Sequence, residues 1–145
     1  MTARRPNYLG IVAGSIVFWL FGWVWYGMIF GTAWMAAVGK TQEQAMAAGY
    51  TPMIVSFVAG LFVAYCFDNM LWHYERGDAV KGAQVGFLTG VCIAATTLII
   101  SYSYQGRPVG LMLIDGGYFV IGFVITGAVV GALRAWAQGR AAKAA

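Results

Sequence analysis

The fold is decided by residues 83–133, AQVGFLTGVCIAATTLIISYSYQGRPVGLMLIDGGYFVIGFVITGAVVGAL, in which two long apolar runs flank Gln105-Gly106-Arg107-Pro108. Each run reaches the length of about 20 residues that an α-helix needs to cross the hydrocarbon core of a bilayer. Glycine and proline in the short segment between them are typical of a turn. The stretch therefore predicts two antiparallel transmembrane helices.

Two further apolar runs precede this stretch. The first is longer than the about 7 to 15 apolar residues of a secretory signal, so we expect a retained anchor. The second opens with Pro52, which is tolerated in the first turn of a helix. The sequence therefore predicts one all-α domain, residues 1–145, built as a membrane bundle of four helices at about 8–30, 52–71, 83–104 and 109–133.

The composition also excludes several functions. Hydrophobic residues make up 61% of the chain and charged residues 10%, which leaves too few polar groups to cover a soluble surface. With 145 residues there is no room for a soluble catalytic domain beside four spans. His73 is the single histidine, so it cannot supply two haem ligands by itself. We expect no enzyme activity, no cofactor, no metal and no nucleic-acid partner.

The basic residues are distributed unevenly between the two ends of the predicted bundle. One end would carry Arg4, Arg5, Arg76, Lys81, Arg134, Arg140 and Lys143, and the other would carry only Lys40 and Arg107. Because Lys and Arg favour the cytoplasmic side, the sequence predicts that both termini are cytoplasmic.

Small and polar residues recur at helical spacing within each span, which predicts the faces that meet in the bundle. On the third span these residues are Gly82, Gly86, Gly90, Ala94, Thr97, Ser101 and Tyr104. On the other spans they are Gly10, Gly14, Ser15 and Gly22, then Ser56, Gly60, Ala64 and Asp68, then Asp115, Tyr118, Gly122, Thr126, Gly127 and Gly131.

Two carboxylates, Asp68 and Asp115, fall within the predicted spans, where an acid is costly unless it meets a partner or water. A structural hypothesis pairs Asp115 with Arg107 across the turn and lets Asp68 cap its helix or meet His73 or Arg76. A functional hypothesis makes both acids proton or ion sites. They would then be linked through the hydroxyls of Thr96, Thr97, Ser101 and Thr126.

Two blocks of residues resemble a known family. The first is Trp25-Tyr26-Gly27 followed by Phe30-Gly31-Thr32-Ala33-Trp34-Met35, and the second is Ala95-Thr96-Thr97-Leu98, Gly106-Arg107-Pro108 and Leu113-Ile114-Asp115-Gly116-Gly117-Tyr118. Both are similar to the bacterial membrane family catalogued as domain of unknown function 1761, over about residues 8–136. The resemblance implies a small four-span protein of the bacterial cytoplasmic membrane and leaves its activity open.

The family's typical residues converge on one end of the bundle, which we expect to be the outer end. By resemblance they are Trp25, Tyr26, Trp34, Thr97, Arg107, Pro108, Asp115 and Tyr118, and Tyr104 lies near them in the sequence. We therefore expect an outer aromatic and Arg/Asp cluster that binds a ligand, lipid, a second copy of the chain or another membrane subunit. The alternative is a small oligomeric carrier coupled to protons or ions through Asp68 and Asp115.

Overall fold

A computed structural model describes residues 5–74 and 77–144 of the chain. All regular secondary structure in these two ranges is helical, and four of the helices are long and apolar enough to span a membrane. The spanning helices are α1 (Tyr8–Ile29), α4 (Thr51–Trp72), α5 (Ala79–Tyr104) and α6 (Val109–Ala144). Two short helices, α2 (Gly31–Val38) and α3 (Gln42–Ala47), connect α1 to α4. The chain is thus a multi-span helical membrane protein.

Local capping explains where several helices begin and end. The side chain of Asn7 accepts a hydrogen bond from the Gly10 N–H at 3.3 Å at the start of α1. Asp78 caps α5 in the same way by accepting from the Lys81 N–H at 2.9 Å. Gly39 ends α2 with a φ of 69°, a conformation that favours glycine.

The four spanning helices pack in the spatial order α4, α1, α6, α5. Helix α6 lies against both α1 and α5, while α4 lies mainly against α1. Helix α4 contacts α5 through the first segment of α5, Ala79–Thr89. We call the end of the bundle that contains Asn7, Trp72 and Asp78 the terminal end, and the opposite end the aromatic end.

Glycine permits the close approach of α5 and α6. A methyl group added at Gly82 would overlap the carbonyl of Gly127, and one added at Gly127 would overlap the carbonyl of Gly82. Gly86 faces the backbone of Phe123, and Gly90 faces the Cα of Val120, in the same way. The small-residue face predicted on the third span is therefore confirmed for its first three glycines, where the two backbones touch.

The prediction of this small-residue face is wrong for the second half of α5. Thr97 and Ser101 are exposed, and Tyr104 is 92% exposed. The cause is a π-helical turn at Gly90–Ala95, whose extra residue rotates the following residues of α5 about the helix axis relative to the preceding ones. Leu98 and Tyr102 face the bundle there instead, each only partly exposed.

The last helix continues beyond the apolar run that defines it in the sequence. The fourth span was predicted to end at about residue 133, but the helix continues through Arg134 to Ala144. Arg134 is 4% exposed and its Nη1 lies 2.6 Å from Oδ1 of Asp68. Alanine-rich sequence propagates the helix, and the acid on α4 holds this arginine inside the bundle.

Candidate ligand site at the aromatic end

The centre of the candidate site is Asp115, which is 5% exposed although it carries a carboxylate. The hydroxyl of Tyr26 donates a hydrogen bond to its Oδ1 at 2.7 Å, and the hydroxyl of Tyr102 donates to its Oδ2 at 2.8 Å. These two tyrosines come from α1 and α5, and the acid comes from α6. Three spanning helices therefore converge on one carboxylate.

A π-helical turn at Val24–Ile29 places two neighbouring residues of α1 against two neighbouring residues of α6. Trp25 donates from its indole N–H to the carbonyl of Ile114 at 3.0 Å, and Tyr26 reaches Asp115 beside it. The Trp25–Ile114 bond is buried, so it fixes the register of α1 along α6. This register positions the Tyr26 hydroxyl.

Tyr118 joins the site through packing. Its ring lies one helical turn after Asp115, 8% exposed, with its centroid 5.0 Å from that of Tyr26 and 5.1 Å from that of Phe18. Trp34 of α2 also packs on Tyr26, edge-on, with a centroid distance of 5.8 Å. Two aromatic contacts, with Tyr118 and Trp34, thus restrain the Tyr26 side chain.

A groove with a volume of about 490 Å³ leads to the carboxylate. Its walls are mostly apolar, and helices α1 to α6 all contribute to them. The lining residues are Tyr26, Gly31, Trp34, Met35, Ala45, Pro52, Ser56, Leu98, Tyr102, Asp115 and Phe119. Pro52 and Ser56 stand on one side and Leu98 and Tyr102 on the other, so the groove separates the aromatic ends of α4 and α5.

The structure brings together five of the residues singled out in the sequence, Trp25, Tyr26, Trp34, Asp115 and Tyr118. Three others do not take part in this cluster. Thr97 and Tyr104 face outward because of the π-helical turn in α5, and Arg107 is exposed in the turn before α6.

The predicted ion pair between Arg107 and Asp115 is wrong. The Nε of Arg107 donates to the side-chain oxygen of Gln105 at 3.4 Å, and the carboxylate is bonded by the two tyrosine hydroxyls. Asp115 lies within the packed helices, while Arg107 belongs to the exposed turn.

Tyr102 is the site residue that the sequence analysis did not select. The predicted small-residue face continues through Thr97 and Ser101, which leaves Tyr102 off that face. After the π-helical turn at Gly90–Ala95 the inward face passes through Leu98 and Tyr102, and the residue types in that turn do not signal this shift.

Asp68 lies at the terminal end, in a different environment. It is 0% exposed, forms a salt bridge with Arg134 and accepts the Asn7 N–H at 3.3 Å. Of its two predicted partners, His73 is exposed at the end of α4, and Arg76 lies outside the described residues. The Arg134 guanidinium also stacks 5.0 Å from the Trp72 ring centroid.

The hydroxyls proposed to link the two acids do not form a chain between them in the structure. Thr126 is buried, but its hydroxyl donates to the carbonyl of Gly122 at 2.7 Å. Thr96 donates to the carbonyl of Val91 at 2.9 Å, and both Thr96 and Thr97 are exposed. The hydroxyls of Thr96 and Thr126 therefore satisfy helix carbonyls.

These features define a class, a four-span helical membrane protein with a buried carboxylate beneath a groove at one end. The sequence profile of the family described as "Protein of unknown function (DUF1761)" matches residues 9–131, and the chain belongs to this family. Comparison with curated proteins and with solved structures found no match. The family assignment confirms the resemblance seen in the sequence.

Proposed function

We propose that this protein is a membrane-embedded binding protein without catalytic activity, whose groove at the aromatic end takes up a ligand that contacts Asp115. The single observation that carries the proposal is the placement of this acid. It is 5% exposed, held by hydroxyls from two other helices, and lines a groove of about 490 Å³. An acid buried within a membrane domain is expensive to keep and typical of functional sites.

The proposal includes an orientation, in which both termini are cytoplasmic and the aromatic end faces outward. The distribution of basic residues in the sequence supports this orientation, because Lys40 and Arg107 are the two basic residues assigned to the aromatic end and the other seven are assigned to the terminal end. Lys40→Cys should react with a membrane-impermeant thiol reagent added outside intact cells. Lys143→Cys should react only after permeabilisation, and the reverse pattern would overturn the orientation.

The binding function is tested by photolabelling with a neutral long-chain alcohol that carries a diazirine. Mass spectrometry should map its adducts to groove residues such as Met35 and Leu98. Ser56→Phe should block the groove and remove these adducts. Ser103→Phe is the matched control, because both serines are exposed and each donates to the carbonyl four residues earlier at 2.7 Å. Adducts that are unchanged in Ser56→Phe would refute binding in the groove.

A second candidate function is a small carrier coupled to protons or cations. It is favoured by one observation, that the described partners of Asp115 are neutral hydroxyls, which leaves its charge available to a moving ion. Purified protein in sealed liposomes should then move protons or small amines, and Asp115→Asn should abolish that flux. Equal flux in wild type, Asp115→Asn and Asp68→Asn would exclude this role for both acids.

A further inference from the structure

Within the described residues, the Asp115 carboxylate is bonded by tyrosine hydroxyls, and the Arg107 guanidinium acts electrostatically on Tyr102 without forming an ion pair with the acid. Between residues 5 and 74 and between 77 and 144, no lysine, arginine or histidine forms an ion pair with this carboxylate. Its two tyrosine partners donate hydrogen bonds but carry no positive charge. An ionised carboxylate in surroundings of low dielectric constant gains most from a cation that shares its site.

The walls of the groove suit an organic cation better than a metal ion. Metal ions such as Ca²⁺ and Mg²⁺ need about six oxygen ligands, whereas this groove offers one carboxylate among mostly apolar groups. The rings of Tyr26, Trp34 and Phe119 line it and present aromatic surface near the acid. Aromatic faces attract ammonium groups, so the carboxylate and the rings favour the same ligand charge.

The position of the groove adds an apolar part to that ligand. It lies between the ends of α4 and α5, and the neighbouring surface of both helices is apolar and exposed. Ile54 of α4 is 63% exposed, and Ile100 of α5 is 54% exposed. In a membrane these side chains face lipid, so a molecule in the groove can extend a chain sideways into the bilayer.

We propose that the groove binds a membrane-resident amphiphile with an ammonium head group. This inference rests on the proposed binding function and names the ligand class of the same site. The ammonium group lies against Asp115 and the aromatic rings. The apolar chain passes Pro52 and Leu98 and leaves between α4 and α5 into the leaflet at the aromatic end.

The test compares three brominated amphiphiles of equal chain length, a primary amine, an alcohol and a carboxylic acid. Each is titrated into wild-type protein in lipid nanodiscs while bromine quenching of tryptophan fluorescence is measured. The same titration of Trp34→Phe shows which part of the quenching comes from the tryptophan in the groove. The expected order of affinity in wild type is amine, then alcohol, then acid.

Asp115→Asn should weaken amine binding by about tenfold or more, because it removes a charge-assisted contact, and should weaken alcohol binding much less, because the asparagine amide can still bond a neutral hydroxyl. Asp115→Glu keeps the charge and should retain the preference for the amine. Glu43→Gln is the matched control for a lost surface charge. Glu43 is exposed on α3, and its removal should change amine binding by less than about twofold.

The outcomes separate this inference from the binding function itself. If Ser56→Phe abolishes binding of the amine and the alcohol alike, while Asp115→Asn affects neither, the groove binds ligands but the ammonium inference is overturned. If Ser56→Phe affects no amphiphile, both proposals fail. If the amine is bound tightly from water but is not bound from the bilayer, the ligand is a soluble amine and the membrane source is overturned.

Discussion

The contact between α5 and α6 can be tested by adding one methyl group at Gly86. In the structure, a Cβ at this position would overlap the carbonyl of Phe123 and lie 2.9 Å from the backbone nitrogen of Val124. These are backbone atoms, which cannot rotate away as a side chain would. Gly86→Ala therefore forces the two helices apart along their closest contact.

The magnitude follows from two opposing effects. Alanine in place of a helical glycine stabilises a helix by about 0.5–1 kcal/mol. Overpacking a tight contact costs about 1–3 kcal/mol, and here the rigid backbone favours the upper part of that range. We expect Gly86→Ala to lower the free energy of unfolding by about 1–2 kcal/mol. Gly116→Ala is the control, because its Cβ would meet only the Cβ of Ala95, at 3.8 Å.

The assay is reversible unfolding in mixed micelles, followed by tryptophan fluorescence as the fraction of a denaturing detergent increases. Gly116→Ala should unfold at the same or a higher detergent fraction than wild type, and Gly86→Ala at a clearly lower one. If the two variants are equally stable, the helices do not touch at Gly86, and the packing of α5 on α6 described above is incorrect.

Two further changes in the same assay probe the buried polar contacts. Asp68→Ala should lower the free energy of unfolding by about 3–5 kcal/mol, because it removes the carboxylate that pairs with the buried Arg134 guanidinium. The control Asp78→Ala removes only an exposed helix cap and should lower it by about 1 kcal/mol. Equal losses in the two variants would argue against the buried salt bridge. Trp25→Phe should lower the free energy of unfolding by about 1–3 kcal/mol, because the buried Ile114 carbonyl loses the indole N–H as a donor. The control Trp136→Phe changes a side chain that is 50% exposed and should change this free energy by less than about 0.5 kcal/mol. If Trp25→Phe is as stable as wild type, the Trp25–Ile114 bond does not set the helix register.

The number of spans and the residues of the aromatic end were accessible from the sequence because they depend on local signals. Apolar length predicts a span wherever it occurs, and Pro52 and Asp78 mark helix starts through their own backbone and side chains. The environment of Arg134 was not accessible in this way. A basic residue after an apolar run looks like a topology signal, and its partner lies 66 positions away on α4.

The candidate site was only partly predicted, because two of its contacts depend on local changes in helical geometry. Tyr26 and Asp115 were both selected, but the contact between them depends on a π-helical turn in α1, and the contact of Tyr102 depends on another in α5. A π-helical turn shifts the helical period by one residue without a strong preference for particular residue types. The sequence prediction assumed a constant helical period and therefore placed Thr97 on the inward face. In the structure, Tyr102 lies on that face instead.

The two buried acids differ in what holds them, and this difference is the reason that the proposed cation site is Asp115 and not Asp68. Asp68 already has a positive partner, the Nη1 of Arg134 at 2.6 Å, so an added cation would compete with an existing charge pair. Asp115 is held by neutral hydroxyls and forms no ion pair within the described residues, so a bound cation would not have to displace a basic side chain. Arg134 and Asp115 are 19 positions apart on α6, about 28 Å along the helix axis. Over that distance, with intervening hydroxyls bonded to helix carbonyls, we expect the two acids to act independently, so that Asp68→Asn leaves the proposed ligand binding at Asp115 unchanged.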